Sequence, residues 1–427
     1  MRLAVLLILS LASAAPAAEV YIGVDAARGM GRKALGLPPF VPEDPTRLED
    51  GETGVRLRDT LRSDLLYSRY FDLIEKPTAS AEGGEEAAAQ AWKASGASFL
   101  LTARSGRVQS MLSLAVKVSD LASGEAVLER YYKQEEKYWR SLAHKVADDV
   151  VRQLTGRPGI AHTQIAFVND QSGRKEIYLA DYDGEEMRRA TSFKSITLLP
   201  RWSPDRRLLA FTSYKEGNPD LFLYDMELGR SRVLSDRQGL NLAGGFSPDG
   251  AKLAVTLSMQ KNPNVFLLSL ADGSIERVTS HFGVDSSPTF SPDGGQIAFV
   301  SDRAGNPQIH VQQLSTGRLR RLTRLNWCDS PSWSPSGEWI AFSGRANNKD
   351  PMDIFLVDVT GTRLIQLTHG EGSNEDPAWS LDSRFIVFSS TRGTPKRRRI
   401  HLMDADGAAP HPLADIPGNS FTPSWSQ

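Results

Sequence analysis

Trp202-Ser203-Pro204-Asp205, Phe246-Ser247-Pro248-Asp249 and Phe290-Ser291-Pro292-Asp293 are three copies of one tetrapeptide, and Trp333-Ser334-Pro335-Ser336, Trp379-Ser380-Leu381-Asp382 and Trp425-Ser426-Gln427 continue the series. Successive copies begin 44, 44, 43, 46 and 46 residues apart. A fixed period of roughly 40–50 residues marks a supersecondary unit that cannot bury its own apolar faces and must stack on its neighbours. For strand-rich units the usual solution is a ring of four-stranded blades.

Working outward from each tetrapeptide, the same strands recur. A short apolar run follows it: Leu209-Ala210-Phe211, Leu253-Ala254-Val255, Ile297-Ala298-Phe299, Ile340-Ala341-Phe342 and Ile386-Val387-Phe388. A second run alternates, as in Leu221-Phe222-Leu223-Tyr224 and Ile354-Phe355-Leu356-Val357, and a third closes on pairs such as Val278-Thr279 or Leu322-Thr323. Runs this short, bounded by Pro, Gly and Asp and rich in Ile, Val and Phe, are strands, because a helix needs a longer stripe of period 3.6.

The two ends of the repeat region fit each other. Ile165-Ala166-Phe167, Ile177-Tyr178-Leu179 and Ala190-Thr191 supply strands two to four of a blade without a first strand, and Trp425-Ser426-Gln427 ends a first strand with nothing after it. The expected architecture is therefore α+β and multidomain: a small α/β N-terminal domain followed by a six-bladed β-propeller over 163–427, closed by the C-terminal strand so that no sheet edge stays open.

Ahead of the ring, residues 1–18 hold Arg2, an apolar run over 3–11 and a small-residue stretch over 12–18, the pattern of a secretory signal peptide. No run approaches the 18 or so apolar residues of a membrane span, so direct membrane insertion is not expected. No cysteine follows the apolar run, so no lipid anchor is expected at the new N-terminus, and the mature chain is expected to be a soluble monomer. The single cysteine, Cys328, excludes internal disulfides and reads as a packed core residue. A formal charge of −1 offers no electrostatic case for nucleic acid or an anionic surface.

Residues 19–156 read as the α/β domain and 157–162 as a linker. A strand is expected over 19–24, then a flexible extended arm through Gly29, Gly31, Gly36, Pro38, Pro39, Pro42 and Pro45. Leu57, Leu61 and Leu65 lie four apart on a helix over 55–66. Strands are expected over 70–74, 97–103, 110–118 and 126–133, and a helix over 85–94. Trp139, Leu142, Ala143, Val146, Val150 and Leu154 form the stripe of a helix ended by Gly156 and Pro158.

No constellation carries chemistry. The Gly-x-Ser-x-Gly elbow of a hydrolase is absent from the sequence, and the seven histidines show no metal-ligand spacing; His310 and His401 share one repeat position and read as packed. Asp181-Tyr182-Asp183-Gly184 and Asp404-Ala405-Asp406-Gly407 resemble pieces of calcium loops but sit where a tight turn needs Asp-Gly. The run Lys396-Arg397-Arg398-Arg399 reads as a solvated turn. No catalytic residue, cofactor or metal site is expected.

What varies between repeats is the set of loops joining strand four to strand one, which should share one face near the axis with the strand two to three loops. Variable loops on a regular scaffold are the pattern of a binding face. Its candidate residues are Asn241, Ala243, Asp285, Ser286, Asp329, Ser330, Glu375, Asp376 and Thr422. A ligand- or carbohydrate-binding sensor is the competing reading, for which Phe282, Trp327 and Phe421 are the aromatic platforms on offer. An enzyme working at the propeller mouth would need convergent acid/base or metal groups.

The exported precursor, the Glu19-Val20-x-Ile22 opening, the helix ending at Gly156 and the six Trp/Phe-Ser-Pro-Asp repeats together resemble the TolB family, periplasmic components of the Tol–Pal system. The resemblance implies a non-enzymatic adaptor in the periplasm. Its propeller face binds a Pal-like peptidoglycan-associated lipoprotein. Its N-terminal segment, here Glu19, Val20, Tyr21, Ile22, Gly23, Val24 and Asp25, binds the C-terminal domain of a TolA-like inner-membrane protein. Outer-membrane integrity and envelope constriction in cell division are the implied roles. Leu381 departs from the repeat's proline, and the loop Gln238-Gly239-Leu240-Asn241-Leu242 is more apolar than a polar lipoprotein contact implies.

Overall fold

The computed structural model describes residues 31–77, 84–394 and 396–427. The expected leader and the segment from Glu19 to Asp25, with its expected strand, lie outside the described residues. In chain order the first domain consists of β1 (Lys33–Gly36), β2 (Val41–Pro42), α1 (Leu48–Tyr67), β3 (Phe71–Ile74), α2 (Glu85–Ala94), β4 (Phe99–Val108), β5 (Met111–Asp120), β6 (Ala126–Glu135) and α3 (Trp139–Thr155). The sheet order is β3-β1-β4-β5-β6, with β2 added alongside β4. β1 runs parallel to β3 and β4, and β4, β5 and β6 form an antiparallel meander.

Leu57, Leu61 and Leu65 of α1 and Leu142, Val146 and Val150 of α3 are buried with Leu101, Leu114 and Val116 of the sheet. On the other side Trp92 of α2 packs with Ala97, Leu100 and Leu121. α1 starts at Leu48, seven residues ahead of the expected start at 55. Glu49 and Asp50 suit the positive N-terminal end of a helix, and the buried Asp50 carboxylate accepts a 2.5 Å hydrogen bond from Arg107. α3 ends at Gly156, whose φ of 71° is the left-handed cap that glycine adopts without cost.

The arm is a correction. Over Lys33–Gly36 it is a sheet strand with Leu35 wholly buried, and just beyond it Leu37 is wholly buried and Phe40 nearly so. Glycine at 36 is what lets the strand in: a Cβ there would stand 2.8 Å from the Trp92 ring and 2.9 Å from Leu100. Four residues are too few to show a period, so the glycines and prolines around them dominated the sequence pattern.

The ring consists of six four-stranded antiparallel blades. Blade 1 runs Thr197–Trp202, Leu208–Ser213, Asp220–Asp225 and Arg230–Ser235 from the axis outward. Blades 2 to 5 repeat it with inner strands Asn241–Phe246, Asp285–Phe290, Trp327–Trp333 and Asn374–Trp379. Blade 6 pairs the inner strand Ser420–Trp425 with Gln164–Asn169, Glu176–Asp181 and Arg188–Arg189, in a register that sets Trp425 against Ile165 and Ser420 against Asn169. The C-terminal strand therefore closes the ring.

The repeated tetrapeptide has a hydrogen-bond explanation. In blade 1 the Ser203 hydroxyl, 2% exposed, donates to Asp205 at 2.6 Å and accepts the Leu208 backbone N–H at 2.9 Å, clamping the first-to-second strand turn. Ser247–Asp249, Ser291–Asp293 and Ser380–Asp382 repeat the pair at 2.5, 2.5 and 2.6 Å, and Ser334 uses Ser336 at 3.0 Å. Proline takes no part in these bonds, which is why Leu381 is tolerated.

The α/β domain packs on the end of the ring that carries these turns, across blades 5 and 6. Tyr67 stacks on Phe385 at 5.0 Å and meets Tyr182 edge-on at 5.1 Å. Arg384 donates to the Ser68 carbonyl at 2.5 Å with its guanidinium 4.3 Å from the Tyr70 ring, and Arg69 pairs with Asp404. Ile165, Phe385, Ile400 and Trp425 belong to the same buried cluster as Leu61 and Val146. Both Asp148 oxygens accept backbone N–H groups, from Ala161 at 2.8 Å and His162 at 3.0 Å, so the expected linker is pinned to α3. No helix among the described residues is long and apolar enough to cross a membrane.

Candidate partner-binding face

The opposite end of the ring carries the fourth-to-first and second-to-third strand loops and is left uncovered by the described residues of the α/β domain. These loops are stapled by one recurring arrangement. The first side chain of the third strand accepts the hydroxyl of the threonine two residues beyond the outer strand, together with a backbone N–H two or three residues further on. Glu176 takes Thr191 at 2.6 Å and the Lys194 N–H at 2.7 Å; Gln308 takes Thr323 at 2.8 Å and the Leu325 N–H at 3.1 Å; Asp353 takes Thr368 at 2.6 Å and the Gly370 N–H at 3.1 Å. The loops are thereby held to the blade edges as each chain segment turns inward.

Each inner strand has a wholly buried residue at its start, or second in blade 4: Thr197, Asn241, Asp285, Cys328, Asn374 and Ser420 are at most 1% exposed. This corrects part of the candidate set. Asn241 spends its amide on the carbonyls of Arg237 and Gly239 and accepts from Ser235 at 2.7 Å, and both Asp285 oxygens take Arg303 at 2.9 and 2.8 Å. Ala243, 2% exposed, packs in the core of blades 1 and 2. These three shape the loops from beneath and offer no side-chain surface. Polar residues that brace a loop and polar residues that touch a partner have the same composition, so sequence alone does not separate them. Cys328 occupies the same buried position, and burial pushes its thiol up to about 11.

Two residues further along, five of the six inner strands adopt positive φ just before a proline: Leu199 (55°), Ser287 (53°), Ser330 (50°), Asp376 (57°) and Thr422 (42°). The pairing register shifts at this point in every blade with such a residue, which is a β-bulge. Three of these residues, Ser287, Ser330 and Asp376, line an axial channel of about 310 Å³ together with Arg201 and Trp379. Burial in the channel pulls the Arg201 guanidinium below its ordinary value, opposed by the charge of Asp376.

On the loop face Asp329, Ser330, Glu375 and Asp376 come together, half-buried. Ser330 donates to Asp376 at 2.9 Å, and its backbone N–H donates to Asp329 at 2.6 Å. Ser287 approaches Asp329 at 3.5 Å, and Arg398 holds Glu375 at 2.7 Å. Burial, then the neighbouring Asp376 and Glu375, push the Asp329 carboxyl up to about 6. A cavity of about 220 Å³ opens between these carboxylates, Trp327 and Arg345. Ser286 lies on the same rim next to Ser287, and Thr422 sits at the bulge of blade 6 with its hydroxyl buried and without a hydrogen-bond partner. The arrangement is rich in hydrogen-bond acceptors. Among the described residues no three His, Cys, Asp or Glu side chains are placed to hold a metal ion.

The other sequence candidates resolve into structure. His310 and His401 are buried against Phe299 and Phe388, which lowers the pKa of both imidazoles. Arg397 and Arg399 both bind Asp415 at 3.1 Å, so the basic run braces its own blade. Asp181 and Asp183 serve the domain interface. His144 of α3, 2% exposed, bonds Asp64 of α1 at 2.8 Å and lies 3.6 Å from Asp181, while the Tyr182 hydroxyl donates to Asp64 at 2.8 Å and Arg140 reaches Asp183 at 2.5 Å. Sequence reasoning missed this cluster because His144 sits within an apolar helical stripe.

A ring with one end capped by an α/β domain and the other left open defines a two-domain propeller protein. The family model for the TolB beta propeller domain matches residues 151–427, and the chain belongs to that family. It is 36% identical over 158 residues to the Tol-Pal system protein TolB of Desulfosudis oleivorans, covering 36% of each chain. It is 34% identical over 213 residues to the protein of the same name from Geobacter sulfurreducens, covering 48% of this chain and 49% of the relative. The aligned stretches thus span a third to a half of these relatives' length. The crystal structure of TolB from Acinetobacter baumannii superposes with a TM-score of 0.77 at 25% identity, covering 93% of this chain and 97% of that one.

Proposed function

We propose that the chain is a non-enzymatic periplasmic adaptor of the Tol–Pal system. It binds a Pal-like peptidoglycan-associated lipoprotein through the open loop face and a TolA-like C-terminal domain through the segment from Glu19 to Asp25. In that role it supports outer-membrane integrity and envelope constriction in division. The observation that carries the reading is the loop face, left uncovered by the described residues of the α/β domain: Arg384, Arg69, Arg140 and His144 all make their interdomain contacts at the opposite end of the ring. Within that face the contact residues are Ser286, Asp329, Ser330, Glu375, Asp376 and Thr422, while Asn241, Ala243 and Asp285 set the loops they stand on. The names carried by the Desulfosudis and Geobacter relatives support membership of the system.

The test uses two purified probes, the soluble domain of the Pal lipoprotein and the C-terminal domain of TolA, both from the source organism. Glu375→Arg should abolish capture of the first and spare the second, and deletion of 19–25 should do the reverse. Retention of both probes by both variants would sink the assignment.

A further inference from the structure

Blade 3 has a basic outer edge. From Arg303 to Cys328 the chain holds five arginines and no aspartate or glutamate, in a protein whose formal charge is −1. Arg303 is spent on Asp285. Arg318, Arg320, Arg321 and Arg324 lie on or beside the outer strand of this blade, Leu319–Arg321, and none of the four has a carboxylate at ion-pair distance among the described residues. Charges on an edge strand have a plain use, which is to keep another strand from pairing there. The surroundings of Arg318 and Arg320 go further than that use requires.

Arg318 and Arg320 are two residues apart and share one face of the blade. Gln296 and Gln313 stand opposite each other on the two neighbouring strands, and the Gln313 N–H donates to the Arg318 carbonyl at 2.9 Å, so the side chains form a row across the sheet. With Thr316 they line an open cleft of about 440 Å³, a size in the range of ligand sites. Neither amide side chain and neither guanidinium has a hydrogen-bond partner among the described residues. Asp293, in the turn beside Gln313, is taken up by the Ser291 hydroxyl and the Gly295 N–H. The flanking blades close the same place from within. In blade 2 the counterparts of Gln296 and Arg320 are Lys252 and Glu276, which pair at 3.4 Å. In blade 4 the counterparts of Gln296 and Arg318 are Trp339 and Arg363, and the guanidinium lies 4.7 Å from the indole ring.

Two guanidinium forks side by side match a carboxylate, which accepts paired N–H donors. The amides add acceptor oxygens that need an O–H or N–H opposite them. A bare anion has no such donor, whereas a sugar acid carries its carboxylate and its hydroxyls on one ring. No apolar residue lines the cleft, so a lipid tail has nothing to rest on. We propose that this cleft binds an acidic glycan, with a sugar carboxylate on Arg318 and Arg320 and the adjoining hydroxyls on Gln296, Gln313 and Thr316. Arg321 and Arg324 continue the positive edge along which further acidic units lie. The site is separate from the loop face and does not depend on the function proposed for that face.

The test is calorimetric titration of the full chain with a galacturonate tetrasaccharide, at low ionic strength because salt screens such contacts. Wild type should bind it and should not bind its methyl ester. Arg320→Gln should weaken binding at least about 10-fold with an unchanged melting temperature, and Gln313→Ala should weaken it as well. Arg230→Gln, which removes an exposed arginine from the outer strand of blade 1, should bind like wild type. Absence of binding by wild type, equal binding of the ester, or wild-type affinity in both cleft variants overturns the site. Polyglutamate or inorganic phosphate binding as tightly as the tetrasaccharide assigns the cleft to an acidic peptide or to a simple anion and likewise overturns the proposal.

Discussion

Replacing Trp425 by alanine tests the closure of the ring at one residue. The indole is 2% exposed in the buried cluster with Ile165, Phe385 and Ile400, and its N–H donates to the Thr163 hydroxyl at 2.7 Å. Removing a buried Trp from a core costs about 3–5 kcal/mol. Against a typical stability of roughly 5–15 kcal/mol that is a large share. At about 2.1 cal/mol/K of unfolding entropy per residue, a loss of about 4 kcal/mol lowers the melting temperature of a ring this size by roughly 7 °C. Trp425→Phe keeps most of the volume and forfeits chiefly the hydrogen bond, for about 1–2 kcal/mol. Circular dichroism during thermal and urea unfolding reads both variants without relying on the lost fluorophore. If Trp425→Ala unfolds within about 1 kcal/mol of wild type, the strand is not sealing the blade and the energetic argument fails.

Other consequences follow from charge placement. Burial opposes the charge on His144, but the hydrogen bonds and charges of Asp181 and Asp64 outweigh it and push the imidazole up to about 9. A folded value above the unfolded 6.5 means stabilisation that is full below pH 6.5 and lost as pH rises through 9. Wild type should therefore lose thermal stability over that window, and His144→Gln should start lower and change less; parallel curves would contradict the assignment. Asp329, raised from 3.8 to about 6, disfavours the fold once ionised, so Asp329→Asn should stabilise the protein by roughly 1–3 kcal/mol at pH 7.5 and much less near pH 4 in denaturant titrations. Arg384→Met removes the donor to the Ser68 carbonyl and should weaken the domain contact by about 2 kcal/mol, seen as an earlier separate transition in calorimetry. A single unshifted transition would mean that the contact is held elsewhere.

The ring was legible because its turn chemistry is local: a serine and an aspartate two residues apart, repeated in the same frame, announce each first-to-second strand turn, and Trp425 pointed to its partner strand by completing the pattern. β1 was not legible, because four residues joined to parallel neighbours far along the chain carry no period of their own. The polar rim around Asp329, Ser330 and Asp376 could be found by comparing repeats. Whether a residue at the head of an inner strand faces solvent or its own loop could not, since Asp285 and Asp329 are the same residue type and only packing separates them. His144 finds its carboxylates on another helix and in the propeller, a meeting that helical periodicity does not report.

The placement of β1 has a mechanical consequence. Tension entering the chain ahead of Lys33 would run along a strand flanked by β3 and β4 in the same direction, paired over Lys33–Gly36 with one and at Leu35 and Gly36 with the other. Rungs loaded lengthwise share the strain and fail together, unlike a hairpin peeled open rung by rung. The α/β domain is thus a grip in shear, and its seat across blades 5 and 6 spreads a pull over two neighbouring sectors of the wheel.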